Sequence, residues 1–418
     1  MGRLVRIFCI VGVIGLVLYS LASPSWAQVD KIRVGVMYSM TGAGSAIGKI
    51  QLDGAKLAVK EINDQGGLMF KGKKVKVEAV IRDDESKPDV AVRRFRELIQ
   101  DEKITAFVGC TFAHVSKALN EQAQAGQVLF MPTNGIPESI FFKKEKAPYT
   151  LNVLGATEGI GRISADYVAK TYKPKHVMLF LPDYAYGRDA GAGAHKIFKN
   201  YPGIKVSETW TPVGTPDFTS YIIKIEEAKP DVVMMGHWGN DGINVLKQVY
   251  EMRLGKKTKL FFNWIINVFA VGIPPEALEG VTCQMLWYHD MSGFKDPVTV
   301  NASKKLTEMW RKEYGEPPDP YAMMGYFGMV EVLRGIRLAN SLEPAKIYKA
   351  IMDNPVFESV KGSAKWRVDG RPLYRFSSFI VEGKGPKERK DMKWDFARVV
   401  DSYEGEEFLL PLKETGWE

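Results

Sequence analysis

From Lys31 onward the chain alternates between two patterns. Short apolar runs give way to stretches whose apolar residues recur every three or four positions. Residues 32–38, IRVGVMY, form a β-branched run of the kind a buried strand shows, and a glycine-rich turn follows at 41–48. Ile50, Gly54, Leu57, Ala58 and Ile62 then keep helical spacing until Gly66-Gly67 stops the helix. Val75, Val77 and Ala79 alternate as a second strand. Ser86 is expected to cap the next helix, with Pro88 in its first turn and Ala91, Phe95, Leu98 and Ile99 on its buried face. Two more strands are predicted at 104–108 and 128–131.

The pattern then restarts. An extended segment at 149–153 leads to a helix near 159–172. Strands at 176–180, 204–210, 232–235, 260–262 and 281–287 are interleaved with helices near 188–199, 218–228 and 242–251. Long helices follow at 298–314 and 321–340. Such alternation predicts an α/β protein with parallel sheets covered on both faces, and two successive blocks predict two doubly wound lobes. Ligands of open sheets of this kind bind beyond the carboxyl ends of the strands. Here those ends carry residues 39–48, 109–116, 132–137, 183–187, 236–241 and 263–267, which are expected to line a cleft between the lobes.

Composition agrees with two folded domains. The chain has 418 residues, 45% hydrophobic and 25% charged, which is neither disordered nor fibrous. Arg3 and Arg6, the uncharged run at 7–18 and the small residues of Ser25-Trp26-Ala27 form a secretory signal, with cleavage expected after Ala27. The apolar run is too short for the ~20 residues of a spanning helix. Cys9 lies inside it, so no lipoprotein cysteine marks the cleavage point. Without the two arginines the formal net charge falls from +8 to +6. Lysine and arginine are scattered rather than gathered on one face, which argues against a nucleic-acid partner. Cys110 and Cys283 remain, and free thiols are expected because they fall on different segments. No clustered His or Cys pattern suggests a metal, and no cofactor is expected.

At this point the chain resembles a known family. Residues 34–42 (VGVMYSMTG), 54–63 (GAKLAVKEIN) and Gly66-Gly67 look like the opening of type I periplasmic binding proteins of ABC importers, nearest to the leucine/isoleucine/valine-binding group. Phe107-Val108-Gly109, the stretch 182–187 (PDYAYG) and Pro230-Asp231-Val232 leading to Gly236 extend the resemblance, which runs from about 31 to 340. It implies two α/β lobes joined by three crossing strands, here near 151–154, 281–287 and 365–368. The first lobe would then be 30–152 plus 285–365, and the second 153–284 plus 366–418. A solute held by one lobe would draw the other closed by a hinge motion. The closed monomer would be recognised by a membrane permease, and the protein would work in the periplasm.

The resemblance also carries site residues. A ligand carboxylate would be held by hydroxyls and backbone N–H groups of two first-lobe loops, represented here by Thr111, Phe112 and Ala113 and by Thr133, Asn134 and Gly135. Ala113 stands where a serine is common. Ser45 is a further expected polar contact, and Ile47 stands where the family has a tyrosine, implying an apolar rim. From the second lobe Tyr186, Trp238, Asn263 and Trp264 are expected to face the solute. Amino-acid binders supply an acid there for the ligand ammonium, yet residues 263–267 (NWIIN) contain none. A buried ammonium without a charged partner is costly. The expected solute is therefore a small carboxylate or amide, with aromatic acids among the candidates and a branched-chain amino acid as the alternative. The five histidines are dispersed, and no nucleophile elbow, zinc helix or P-loop occurs, so an enzyme is not expected. The rival reading is a receptor subunit of a signalling system. Such receptors usually carry a membrane helix and a signalling domain, neither of which is read in this sequence.

Overall fold

The computed structural model describes residues 30–154, 157–406 and 408–418, so the expected signal at 1–27 lies outside the described residues. The first sheet contains β1 (Lys31–Tyr38), β2 (Leu68–Phe70), β3 (Lys73–Asp83), β4 (Ala106–Gly109) and β5 (Leu129–Pro132), in the order β2-β3-β1-β4-β5. All pairs are parallel except the β2–β3 hairpin. Ile32, Val34 and Val36 of β1 enter one core, while Met37 joins Phe95, Leu98 and Phe107 on the opposite face. Burial on both faces is why this strand reads as a continuous apolar run. Helices α1 (Ser45–Asp64), α2 (Pro88–Gln100) and α3 (Ala113–Ala123) connect the strands.

Two local expectations are corrected. Ser86 does not cap α2: Lys87 is the N-cap residue, without a side-chain cap hydrogen bond. Ser86 sits at φ 62°, where its hydroxyl donates to the Thr41 carbonyl and accepts from Gly44 N–H, so it braces the 41–44 turn instead. Ile47 is fully buried in the core and forms no rim. It lies on the face of α1 turned toward the sheet, a direction set by helical phase.

The second sheet contains β6 (His176–Pro182), β7 (Lys205–Thr211), β8 (Val232–Met235), β9 (Lys259–Phe262) and β10 (Thr282–Met285). Helices α4 (Thr157–Tyr167), α5 (Ala185–Phe198), α6 (Thr219–Ala228), α7 (Asn240–Glu251) and α8 (Asn267–Val271) accompany them. The chain then crosses back through α9 (Pro297–Tyr314), α10 (Pro320–Ala339) and α11 (Pro344–Asp353). Helix α10 lies against α1 at very short range. A Cβ on Gly54 would come 2.1 Å from the Ala322 carbonyl oxygen, and one on Gly325 would come 1.9 Å from that of Gln51. Only glycine permits this approach.

A three-stranded antiparallel sheet, β11 (Val356–Ser359), β12 (Gly362–Trp366) and β13 (Pro372–Tyr374), follows. The crossing expected at 365–368 falls within this hairpin, because Trp366 pairs back to Pro372. Passage to the second sheet comes at Arg375, before β14 (Phe376–Gly383) and β15 (Ala397–Glu404) complete the order β15-β14-β10-β9-β8-β6-β7. The hairpin tip is tied to the first crossing segment, where Asn152 N–H donates to the Gly370 carbonyl at 3.2 Å, and to the turn that holds Glu138. Asp369 pairs with Arg367 at 2.6 Å and with Arg371 at 3.0 Å, and Arg371 also pairs with Glu138. Cys110 and Cys283 are buried free thiols. Among the described residues no helix is long and apolar enough to cross a membrane.

Candidate functional site

The strand ends of both lobes meet around a small cavity of about 20 Å³. The first lobe contributes Thr111, Phe112 and Ala113 from the β4–α3 loop and Asn134 and Gly135 from the segment after β5. The second contributes Tyr184 and Tyr186 after β6, Trp238 after β8, Trp264 after β9, and Thr157 and Ile160 at the start of α4. Leu154 of the first crossing and Tyr321 in the first turn of α10 complete the lining.

The first-lobe wall is knit together before any solute is considered. Ser39 N–H donates to Thr111 Oγ1 at 3.0 Å, Asn134 Nδ2 donates to the Thr111 carbonyl at 2.8 Å, and Ser116 Oγ donates to the Asn134 carbonyl at 3.2 Å. The two loops touch at Gly135, whose φ is +57° and whose Cβ would lie 2.5 Å from both Ala113 N and Phe112 C. Cys110 opens the first loop at φ +71°, a left-handed conformation uncommon for a residue with a side chain. Helix α3 begins at Ala113 on the cavity, and no side chain caps it. The amides of a helix's first turn lack intrahelical partners and attract negative charge.

The second-lobe wall is aromatic and incompletely paired. Trp238 Nε1 donates to the Tyr321 hydroxyl at 2.7 Å, and its ring meets Phe112 edge-on at 5.0 Å, so it bridges the lobes. Among the described residues the buried Tyr186 hydroxyl makes no hydrogen bond, while the buried Trp264 indole N–H lies beside the Tyr321 hydroxyl without a well-aligned bond. Burial pushes Tyr186, Tyr184 and Tyr321 well up from the ordinary phenol value, so all three stay protonated donors. Behind the wall, burial pushes His237 down to about 3, and its Nε2 meets Thr211 Oγ1 at 3.0 Å. It is neutral and packs between Phe180 and Phe218. Among the described residues no acidic or basic side chain lines the cavity.

Of the residues expected from sequence, the structure brings together Thr111, Phe112, Ala113, Asn134, Gly135, Tyr186, Trp238 and Trp264. It does not bring Ser45, Thr133 or Asn263 to the lining. Ser45 is half-buried on the first turn of α1. Thr133 is fully buried beneath the loop, where its Oγ1 meets the Tyr38 hydroxyl at 3.0 Å. Asn263 is buried at the end of β9. Sequence reasoning missed Tyr321, Thr157, Leu154 and Ile160. It named the stretch containing Tyr184 without selecting that residue. Asp319-Pro320 before Tyr321 is a clear helix-start signal, and Asp319 does cap α10. That signal places a helix terminus but not the cleft it faces.

The sequence matches the family model described as periplasmic binding protein over residues 31–385. A Leu/Ile/Val-binding protein of Rhizobium johnstonii is 27% identical over 84% of this chain and 91% of its own. Two solved structures share the fold. An amino-acid ABC transporter substrate-binding protein from Pseudomonas fluorescens Pf-5 superposes with a TM-score of 0.81 at 21% identity, covering 92% of this chain and 98% of that one. A solute-binding protein of Rhodopseudomonas palustris BisB5, in complex with 3,4-dihydroxybenzoic acid, gives 0.77 at 22%, covering 90% and 98%. With most of its length matched, and with two doubly wound lobes closing on a cavity at their strand ends, the chain belongs to the periplasmic binding protein family.

Proposed function

We propose that this protein is the periplasmic solute-binding component of an ABC importer, and that its solute is a small organic carboxylate without an α-ammonium group. The bodies that move against each other are 30–152 with 285–374 and 153–284 with 376–418. The exported protein captures its solute as a monomer, presents it to a membrane permease and carries out no chemistry on it.

One observation carries the choice of solute. Among the described residues the cavity offers donors and no counter-ion for a cation: Tyr186 Oη–H and the uncapped amides of α3, with Trp264 Nε1–H beside the Tyr321 hydroxyl. A carboxylate satisfies these donors, while an ammonium beside it would lose its hydration without a charged partner. Relatives support both arms of the comparison, since one is named for leucine, isoleucine and valine and another was solved with a benzoic acid. Aromatic walls such as Phe112, Tyr184 and Trp238 suit a flat apolar body. Native mass spectrometry of freshly purified protein tests the reading. A carried-over carboxylic acid without a primary amine is expected; a carried-over leucine or valine would sink it.

A further inference from the structure

We infer that the cleft continues past its aromatic wall into a second chamber, which holds the far end of an elongated solute and reads an O–H or N–H donor there. This rests on the reading of the inner cavity as a carboxylate site. Phe112, Tyr184 and Trp238 belong to both spaces, so they are a partition rather than an outer wall. The inner space, about 20 Å³, takes little more than a head group. The outer space measures about 240 Å³. Only with the outer space included does the cleft approach the lower end of the range, roughly 300 Å³, usual for small-molecule sites. The partition has one movable leaf. Trp238 is held by a single hydrogen bond to Tyr321 and by edge contacts with Phe112 and Tyr321, and a turn of its indole would join the chambers.

The two chambers differ in hydrogen-bonding sense. The inner one presents the unfilled donor of Tyr186, with the Trp264 indole N–H beside the Tyr321 hydroxyl. The outer one is closed by Asp241, which is only 6% exposed, with the amides of Asn240 and Asn244 beside it. Asp241 Oδ2 accepts Gly214 N–H at 2.8 Å, and among the described residues no other hydrogen bond to this carboxylate is formed. A buried carboxylate with spare acceptor capacity favours a donor from the solute. It disfavours a second anionic group. The matching solute has a carboxylate head, a flat apolar waist that slides past the aromatic partition, and a hydroxyl or N–H at its distal end. An α-amino acid does not fit, because its ammonium lies next to its carboxylate.

Calorimetric titration of the full chain, freed of carried-over ligand by unfolding and refolding, tests the inference with benzoate, 3-phenylpropanoate and 3-(4-hydroxyphenyl)propanoate. The hydroxylated acid is expected to bind at least tenfold more tightly than 3-phenylpropanoate. In Asp241→Asn, whose neutral amide is the weaker acceptor, that ratio is expected to fall below threefold. Asn244→Ala provides a second variant should the first lose stability, and the ratio is expected to fall in it as well. A ratio near one in the unmodified protein, a ratio kept in both variants, or binding of benzoate with rejection of both longer acids would overturn the second chamber while leaving the inner carboxylate site standing. Rejection of all three acids also overturns the chamber. If leucine binds in their place, the carboxylate reading beneath it falls too.

Discussion

The two walls of the cleft are built on different principles. On the first-lobe side Thr111, Asn134 and Ser116 already bond to backbone groups, and the loops are locked against each other at Gly135. On the second-lobe side Tyr186 carries a buried donor that has no partner among the described residues, Trp264 N–H lies loosely against the Tyr321 hydroxyl, and the wall is held to the first lobe through Trp238. A buried donor left unpaired costs about 1–3 kcal/mol, so the second wall is strained toward any acceptor that reaches it. On the proposed reading the first wall supplies a preformed seat, and the second supplies the gain that would favour closure once the seat is filled. That division gives a hinge motion its thermodynamic reason, because the solute has more to bond to in the closed form than in the open one.

The largest effect is expected from breaking the first wall. Gly135→Val places a Cβ against the backbone of Phe112 and Ala113 at a positive φ. Solute affinity is expected to fall at least about a hundredfold, and stability by about 1–3 kcal/mol, read by calorimetry and by denaturant titration. Tyr186→Phe tests the second wall and sharpens the contrast. A hydrogen bond to a charged acceptor is worth about 1.5–3 kcal/mol, so affinity should drop roughly 10–100-fold. The protein without solute should be no less stable, since an unpaired hydroxyl has been removed. Thr111→Val should behave oppositely in stability, losing about 1 kcal/mol because Ser39 N–H is left unpaired.

A smaller effect concerns the seam between the walls. Asp189 of α5 accepts from Thr157 Oγ1 at 2.6 Å and, across the lobes, from Glu138 N–H at 3.2 Å. Burial pushes Glu138 up to about 7, against the pull of Arg371 and with Glu158 and Asp189 also raising it. Burial raises Asp189 too, opposed by its bonds to Thr157 and Glu138 and by the charge of Lys117. In the proposed hinge motion, opening the cleft would separate Glu138 from Asp189 and return both toward the ordinary carboxylate range. The closed form therefore binds more protons. The contribution to closure is fully present below the ordinary carboxylate value and is lost as pH rises through about 7. Solute affinity should weaken by up to about tenfold between pH 5 and pH 8, measured by titration in buffers of constant ionic strength. The smallest effect is expected at Ser45, which the structure leaves outside the cavity lining. Ser45→Ala should change affinity less than twofold by the same calorimetry.

The alternation of strands and helices from 31 to 285 was legible in the sequence because parallel strands buried on both faces leave unbroken apolar runs. The loops at the strand ends followed from that alternation, and most of the cavity lining comes from them. Other features were not legible, for physical reasons. The antiparallel strands β11 to β15 lack the helix-separated rhythm, so the hairpin that holds residues 365–368 was not foreseen. Ile47 and Thr133 lie in stretches next to the cleft, but helical phase and strand pleat turn their side chains into the core. Tyr321 reaches the site from roughly two hundred residues beyond Thr111 and Asn134, because Gly54 and Gly325 let α10 press against α1, a packing relation that no local pattern carries. An unpaired donor such as Tyr186 Oη can be recognised only once its neighbours are known.

The central claim is that the cleft takes a carboxylate and rejects the ammonium beside it. The most direct test is calorimetry with matched pairs that differ only in that group: 4-methylpentanoate against leucine, and 3-phenylpropanoate against phenylalanine. At least one deaminated acid should bind at least about tenfold more tightly than its amino-acid partner, a difference of about 1.4 kcal/mol or more. Tighter binding of leucine than of 4-methylpentanoate, with phenylalanine likewise preferred over 3-phenylpropanoate, would contradict the account.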